Sequence, residues 1–183
     1  GESGVGKTAL VHELAHRLAA RNEGWVVVRV APSDLLAGTK YLGEWQTRVR
    51  DLVALARAPR KVVLYVPNAH ELAMGGRAED SELNMASMLA PELESGSVAL
   101  LGESTPEGYR GSLGKSAALA RVFAPVQVRP ADKRETLDVL EQIALEQGVL
   151  AERTTLAALN ETADTYFQSV AQPGRSATLL RSV

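Results

Sequence analysis

Gly1-Glu2-Ser3-Gly4-Val5-Gly6-Lys7-Thr8 opens the chain and matches G-x-x-x-x-G-K-[ST] at every fixed position. The match describes a phosphate-binding P-loop. Its glycines let the backbone wrap a polyphosphate with N–H groups pointing inward, Lys7 brings a cation to the terminal phosphates, and the Thr8 hydroxyl is a ligand for Mg²⁺. The helix expected next adds the positive end of its dipole at the same point. A glycine-rich turn that only caps a helix has no need of two glycines, a lysine and a threonine at this spacing. Such loops normally join a buried strand to a helix, yet Gly1 is the first residue. The natural polypeptide is therefore expected to continue upstream, and downstream as well.

The 183 residues suffice for one large core, or a core with a small satellite domain. Hydrophobic residues make up 45% and charged residues 23%, the composition of a soluble globular domain. Lys and Arg number 20 against 22 Asp and Glu, a net charge of −2. Without a long basic run, bulk charge predicts neither nucleic-acid binding nor attachment to an anionic membrane. The sequence has no cysteine, which excludes disulfides and thiolate metal sites and fits a reducing, cytoplasmic setting. No apolar run reaches the length of a membrane span.

Beyond the loop, Thr8–Ala20 reads as an amphipathic helix with Leu10, Val11, Leu14, Ala15 and Leu18 on one arc at about 100° per residue. Its polar arc carries His12, Glu13 and His16, which spell H-E-x-x-H. A zinc site there needs a third ligand and a cleft, and the only other histidine is His70, so a solvated polar face is the better account. Trp25–Val30 and Val62–Val66 read as buried strands. A helix with Trp45, Val49, Leu52, Val53 and Ala56 at helical spacing lies between them. Further along come a helix through Met85, Met88 and Leu89, a strand Val98–Leu101, and a last short strand Val126–Val128. In P-loop ATPases the strand equivalent to Val62–Val66 ends in carboxylates that order the Mg²⁺ shell and activate the attacking water. Here the strand runs into Pro67-Asn68-Ala69-His70-Glu71, and neither of the first two is acidic. His70 and Glu71 are substitutes only if the chain folds back. The 98–101 strand leads into Gly102-Glu103-Ser104-Thr105 at the carboxyl edge, the ligand side of an open α/β sheet.

The order of these anchors resembles the first AAA+ module of the Clp-type unfoldases and disaggregases. The resemblance rests on the P-loop and its helix; on Ala37-Gly38-Thr39-Lys40-Tyr41-Leu42-Gly43-Glu44, similar to a substrate-gripping pore loop; and on Ser87-Met88-Leu89-Ala90-Pro91. Gly102 to Arg110 is similar to a sensor-1 strand end, Ala117 to Phe123 to an arginine-finger segment, and Gln172-Pro173-Gly174-Arg175 to the start of the small-domain sensor region. It implies an α/β P-loop NTPase domain over 1–128, a parallel sheet with helices on both faces, followed by a small α-helical lid over 129–183. It further implies that Gly1, Glu2, Ser3, Gly4, Val5, Gly6, Lys7 and Thr8 hold ATP or ADP with Mg²⁺, and that Thr105 is the sensor. Arg121 becomes a finger reaching a neighbouring subunit, and Lys40, Tyr41 and Leu42 the loop that grips polypeptide; the plainer alternative for Tyr41 is packing at the core edge.

Two departures accompany the resemblance. The acidic pair falls on Pro67 and Asn68, and the second finger arginine falls on Val122. The expected function is therefore an ATP-binding module with impaired hydrolysis, part of a homo-oligomeric ring, a hexamer by resemblance, that acts on protein substrates with a peptidase or adaptor as further partner. The alternative is a fully active motor that threads polypeptide through a central pore. Arg121 stands among apolar neighbours, so burial beside an anionic partner is expected of it, either an Asp or Glu of the same chain or, by the resemblance, the γ-phosphate bound by a neighbouring subunit.

Overall fold

A computed structural model describes residues 1–39, 43–57, 61–75 and 84–182. The chain divides into two compact units, one made of Thr8–Pro125 and the other of Gly1–Lys7 with Val126–Val183.

The first unit is built on a parallel sheet of β1 (Trp25–Arg29), β2 (Lys61–Val66) and β3 (Ala99–Gly102), with β2 in the middle. The ladder sets Val28 beside Leu64 and Tyr65 beside Leu101. Period-two alternation sends Val62, Leu64 and Val66 to one face of β2 and Val63 and Tyr65 to the other. Around the sheet run α1 (Lys7–Ala20), α2 (Pro32–Leu36), α3 (Glu44–Ala56), α4 (Met85–Glu94), α5 (Pro106–Gly111) and α6 (Ala117–Ala120). Trp45 and Val49 of α3 and Met85, Ala86 and Leu89 of α4 pack into one buried cluster with Val66, and Ala56 joins Val62, Leu64 and Val98 in another. Asn84 starts α4 through a reciprocal capping box with Ser87, which satisfies donors that a helix start leaves without partners. On the opposite face, Tyr65 connects through Glu103 to Thr8 at the start of α1. Helices thus lie on both faces of the sheet.

Three expectations change. Among the described residues, 126–128 form no strand, and Val126 is 84% exposed; with no neighbouring strand to pair with, its alternating pattern has nothing to bury against. β1 lies at the edge of the described sheet and leaves Val26 exposed, so its valine run marks a half-covered strand. On α1 only Val11 is buried, while Leu10 and Leu14 are exposed. The covered arc runs through Leu18, Val11 and Ala15, and the other two leucines lie on its flank.

In the second unit α7 (Lys133–Glu146), α8 (Arg153–Tyr166) and α9 (Gly174–Ser182) enclose Leu137, Leu140, Ile143, Ala144, Leu156, Ala177 and Leu180. Asp132 caps α7 in a capping box with Glu135, and Glu135 also pairs with Arg129 at 2.6 Å.

Candidate functional site

The loop Gly1–Lys7 belongs to the unit of the three C-terminal helices and is fastened to it through backbone. Ala171 N–H donates to Ser3 C=O at 2.8 Å, and Gly174 N–H donates to Gly4 C=O at 2.9 Å. Gly4 and Gly6 have φ of +90° and +91°, a region that favours glycine. At Gly4 the requirement is double, because a Cβ there would stand 2.4 Å from Val170 Cγ1 and 2.7 Å from the Ala171 carbonyl. A Cβ on Gly6 would meet nothing within 4 Å, so that glycine serves backbone conformation alone. Lys7 Nζ donates to the carbonyls of Gly1 at 3.0 Å and Glu2 at 2.7 Å. The ammonium is thereby held inside the curve of the loop. A polyphosphate is the group these residues fit: left-handed glycines, an inward cation, and a helix start whose first N–H groups have no intrahelical partners.

Thr8 belongs to the sheet unit, and its hydroxyl donates to Glu103 Oε2 at 3.1 Å. Tyr65 donates its phenolic proton to Glu103 Oε1. Burial pushes the Tyr65 phenol above its ordinary pKa, and the hydrogen bond to the carboxylate pushes it further. Backbone explains how Glu103 comes to lie here. The β2–β3 register pairs Val66 with Gly102, and Glu103 N–H donates to Val66 C=O at 3.0 Å, so the ladder runs one position further and sets Glu103 beside Pro67. There the register slips. Ala69 N–H reaches Glu103 C=O at 2.7 Å, while Asn68 adopts φ 53°, ψ 46°. Asn tolerates this left-handed conformation better than most residues.

The family profile described as ATPase family associated with various cellular activities (AAA) matches residues 1–106. The chain belongs to the AAA family. Within it, this AAA domain is similar to Clp-type proteins. It is 36% identical over 146 residues to the chloroplastic chaperone protein ClpC1 of Arabidopsis thaliana, covering 77% of this chain and 16% of that protein. It is 32% identical over 189 residues to a ClpA homolog of Guillardia theta, described as an ATP-binding subunit of an ATP-dependent Clp protease, covering 98% of this chain and 23% of that one. Among solved structures it resembles the S. cerevisiae Hsp104–ADP complex with a TM-score of 0.81 at 25% identity, over 98% of this chain and 26% of the other. A closed state of Hsp104 with ATPγS and casein gives a TM-score of 0.77 at 25% identity, over 98% and 33%. The chain thus spans roughly a sixth to a quarter of these curated relatives, at 16% and 23% of their lengths.

The remaining residues singled out in the sequence of this AAA domain take varied positions. Thr105 caps α5, its Oγ1 accepting from Gly108 N–H at 3.0 Å. Arg121 is exposed, contrary to the expectation of burial. Its Nε donates to Ala117 C=O at 3.2 Å, because the four-residue α6 ends there and turns the long side chain outward. His70 and Glu71 lie in the 3₁₀ turn Ala69–Ala73, where the His70 ring is 3.4 Å from Ser104 Oγ. Glu13 of the H-E-x-x-H run pairs with Arg17 at 2.7 Å on the exposed face of α1. Arg175 is held by Val170 C=O at 2.6 Å and Asp164 at 3.1 Å. Lys40, Tyr41 and Leu42 lie outside the described residues. Sequence reasoning missed Glu103 and Tyr65 as site residues; an acid one step past a strand that ends on the ligand side was the available signal.

Proposed function

We propose that this chain is a nucleotide-binding module of a larger Clp-type chaperone, holding ATP or ADP with Mg²⁺ through Gly1–Thr8 and hydrolysing slowly. The observation that carries the reading is the complete P-loop motif, with Gly4 and Gly6 in left-handed conformations and the Lys7 ammonium directed into the loop. In that reading Lys7 neutralises the terminal phosphates and the loop N–H groups orient them. The Thr8 hydroxyl would be the loop's ligand for Mg²⁺, which would offset the charge of the phosphates. Slow hydrolysis follows from Pro67 and Asn68, since neither can take a proton from an attacking water. The similarity to a chaperone and to an ATP-binding subunit of a protease supports protein substrates and a peptidase or adaptor partner for the intact protein. A homo-oligomeric ring, with Tyr41 facing its channel, Thr105 as sensor and the C-terminal helices as a lid over the nucleotide, completes the proposal.

A working motor is the second reading, and the exposure of the Arg121 guanidinium, which leaves it open to a partner outside the chain, supports it. Titration with a fluorescent ATP analogue tests the primary reading. Lys7→Ala is expected to remove most binding, and equal affinity in parent and variant would refute the loop assignment.

A further inference from the structure

The half-buried carboxylate of Glu103 has both oxygens held by hydroxyls, Oε2 by Thr8 at 3.1 Å and Oε1 by Tyr65, and among the described residues it forms no ion pair. A partly exposed carboxylate whose oxygens are fixed by two hydroxyls, with no cation among its described partners, is pre-positioned to take one. Its place in the sheet indicates what that is. Glu103 stands beside Pro67, one strand over from the position where a P-loop ATPase supplies its metal-shell carboxylate. We infer that Glu103 is the carboxylate of a Mg²⁺ site shared with Thr8, provided from β3 in place of β2 and held in position by Tyr65. The inference rests on the nucleotide-binding reading and adds to it the metal's protein ligand field.

The chemistry fits a hard cation. Mg²⁺ takes oxygen ligands, keeps several waters, and is held through one or two carboxylates together with substrate phosphates. Thr8 and Glu103 supply a hydroxyl and a carboxylate in contact, although they lie 95 residues apart in the chain. Tyr65 is a positioning residue. Its ring is buried at 3% exposure, so its hydroxyl is a fixed donor that prevents Glu103 from swinging into solvent. The site restores only one of the two missing acidic functions: it holds a metal, and it leaves Asn68 where a water-activating carboxylate would be. Tight Mg²⁺-nucleotide binding with slow turnover is the combined result.

The test is the affinity of the chain for a fluorescent ADP, measured in Mg²⁺ and again in EDTA, for the parent, Glu103→Gln and Tyr65→Phe. The readout is the ratio of the two affinities. Glu103→Gln is expected to lower the Mg²⁺-dependent gain at least about tenfold, since losing a ligand costs no less than losing an outer group that orients one. Without Mg²⁺ the same variant should bind somewhat more tightly, because the carboxylate then only repels phosphate. Tyr65→Phe keeps the ring and should lower the ratio by a smaller factor; it carries the test if Glu103→Gln melts well below the parent. A ratio in both variants equal to the parent's overturns the inference, as does a parent that binds nucleotide without any gain from Mg²⁺, and in either case the nucleotide reading survives. A parent that binds no nucleotide under either condition overturns both.

Discussion

Replacing Gly174 by alanine sets two effects of known size against each other. In an exposed helix interior alanine is favoured over glycine by about 1 kcal/mol, and at the first residue of α9 the gain is smaller. Against it, a Cβ at position 174 would stand 2.6 Å from both the Gly4 Cα and the Gly4 carbonyl oxygen. Those are backbone atoms of a loop already held by two hydrogen bonds, so neither can yield as the tip of a flexible side chain would. Overpacking of this kind costs about 1–3 kcal/mol, and forcing the loop away forfeits the Gly174–Gly4 hydrogen bond, worth about 1 kcal/mol. The net is a loss of about 1–3 kcal/mol in the state where the P-loop is seated. At about 1.4 kcal/mol per tenfold, nucleotide affinity should fall by roughly five- to a hundredfold. Thermal melting and titration with a fluorescent nucleotide would be read together. A Gly174→Ala chain that melts at or above the parent temperature and binds nucleotide equally well would show that helix propensity dominates and that the close approach of Gly4 and Gly174 has no functional weight.

Arg121→Ala removes an exposed guanidinium held by one helix carbonyl; it should weaken ATP-dependent oligomerisation while leaving nucleotide affinity intact, and sedimentation showing the parent's oligomer would refute the trans role. Pro67→Asp combined with Asn68→Glu returns both carboxylates to the end of β2 and should raise the single-turnover hydrolysis rate with any partner module inactivated. An unchanged rate, with the fold intact by melting, would mean that hydrolysis is limited elsewhere.

The sequence was most informative where the physics is local. The P-loop is a run of fixed spacing, and the buried residues of α3 and α7 follow the helical period, so Val49 and Leu140 fell where periodicity set them. The three strands were visible as β-branched or apolar runs bounded by turns, and the structure moves each by a residue or so at its ends. Periodicity cannot say what covers a face, which is why Leu10 and Leu14 looked as buried as Val11. Nor can it supply a partner strand for Val126–Val128. Arg121 has apolar neighbours in sequence but not apolar surroundings in space, a distinction that only the fold makes. Glu103 was legible only in part: its place just past a strand that ends on the ligand side is visible, but its contact with Thr8 is fixed by the β2–β3 register and by Tyr65, and no local pattern encodes either.

The left-handed Asn68 limits which residues the end of β2 accepts. With φ 53° and ψ 46° it sits where a glutamate would cost about 1–2 kcal/mol, a conformation asparagine accepts readily. Beside it, Pro67 fixes its own backbone and offers no N–H. A glutamate placed singly at 68 would meet an unfavourable backbone, and an aspartate placed singly at 67 would bring a second carboxylate up against Glu103. Each single acidic substitution at the end of β2 is thus disfavoured by the geometry of the strand end itself.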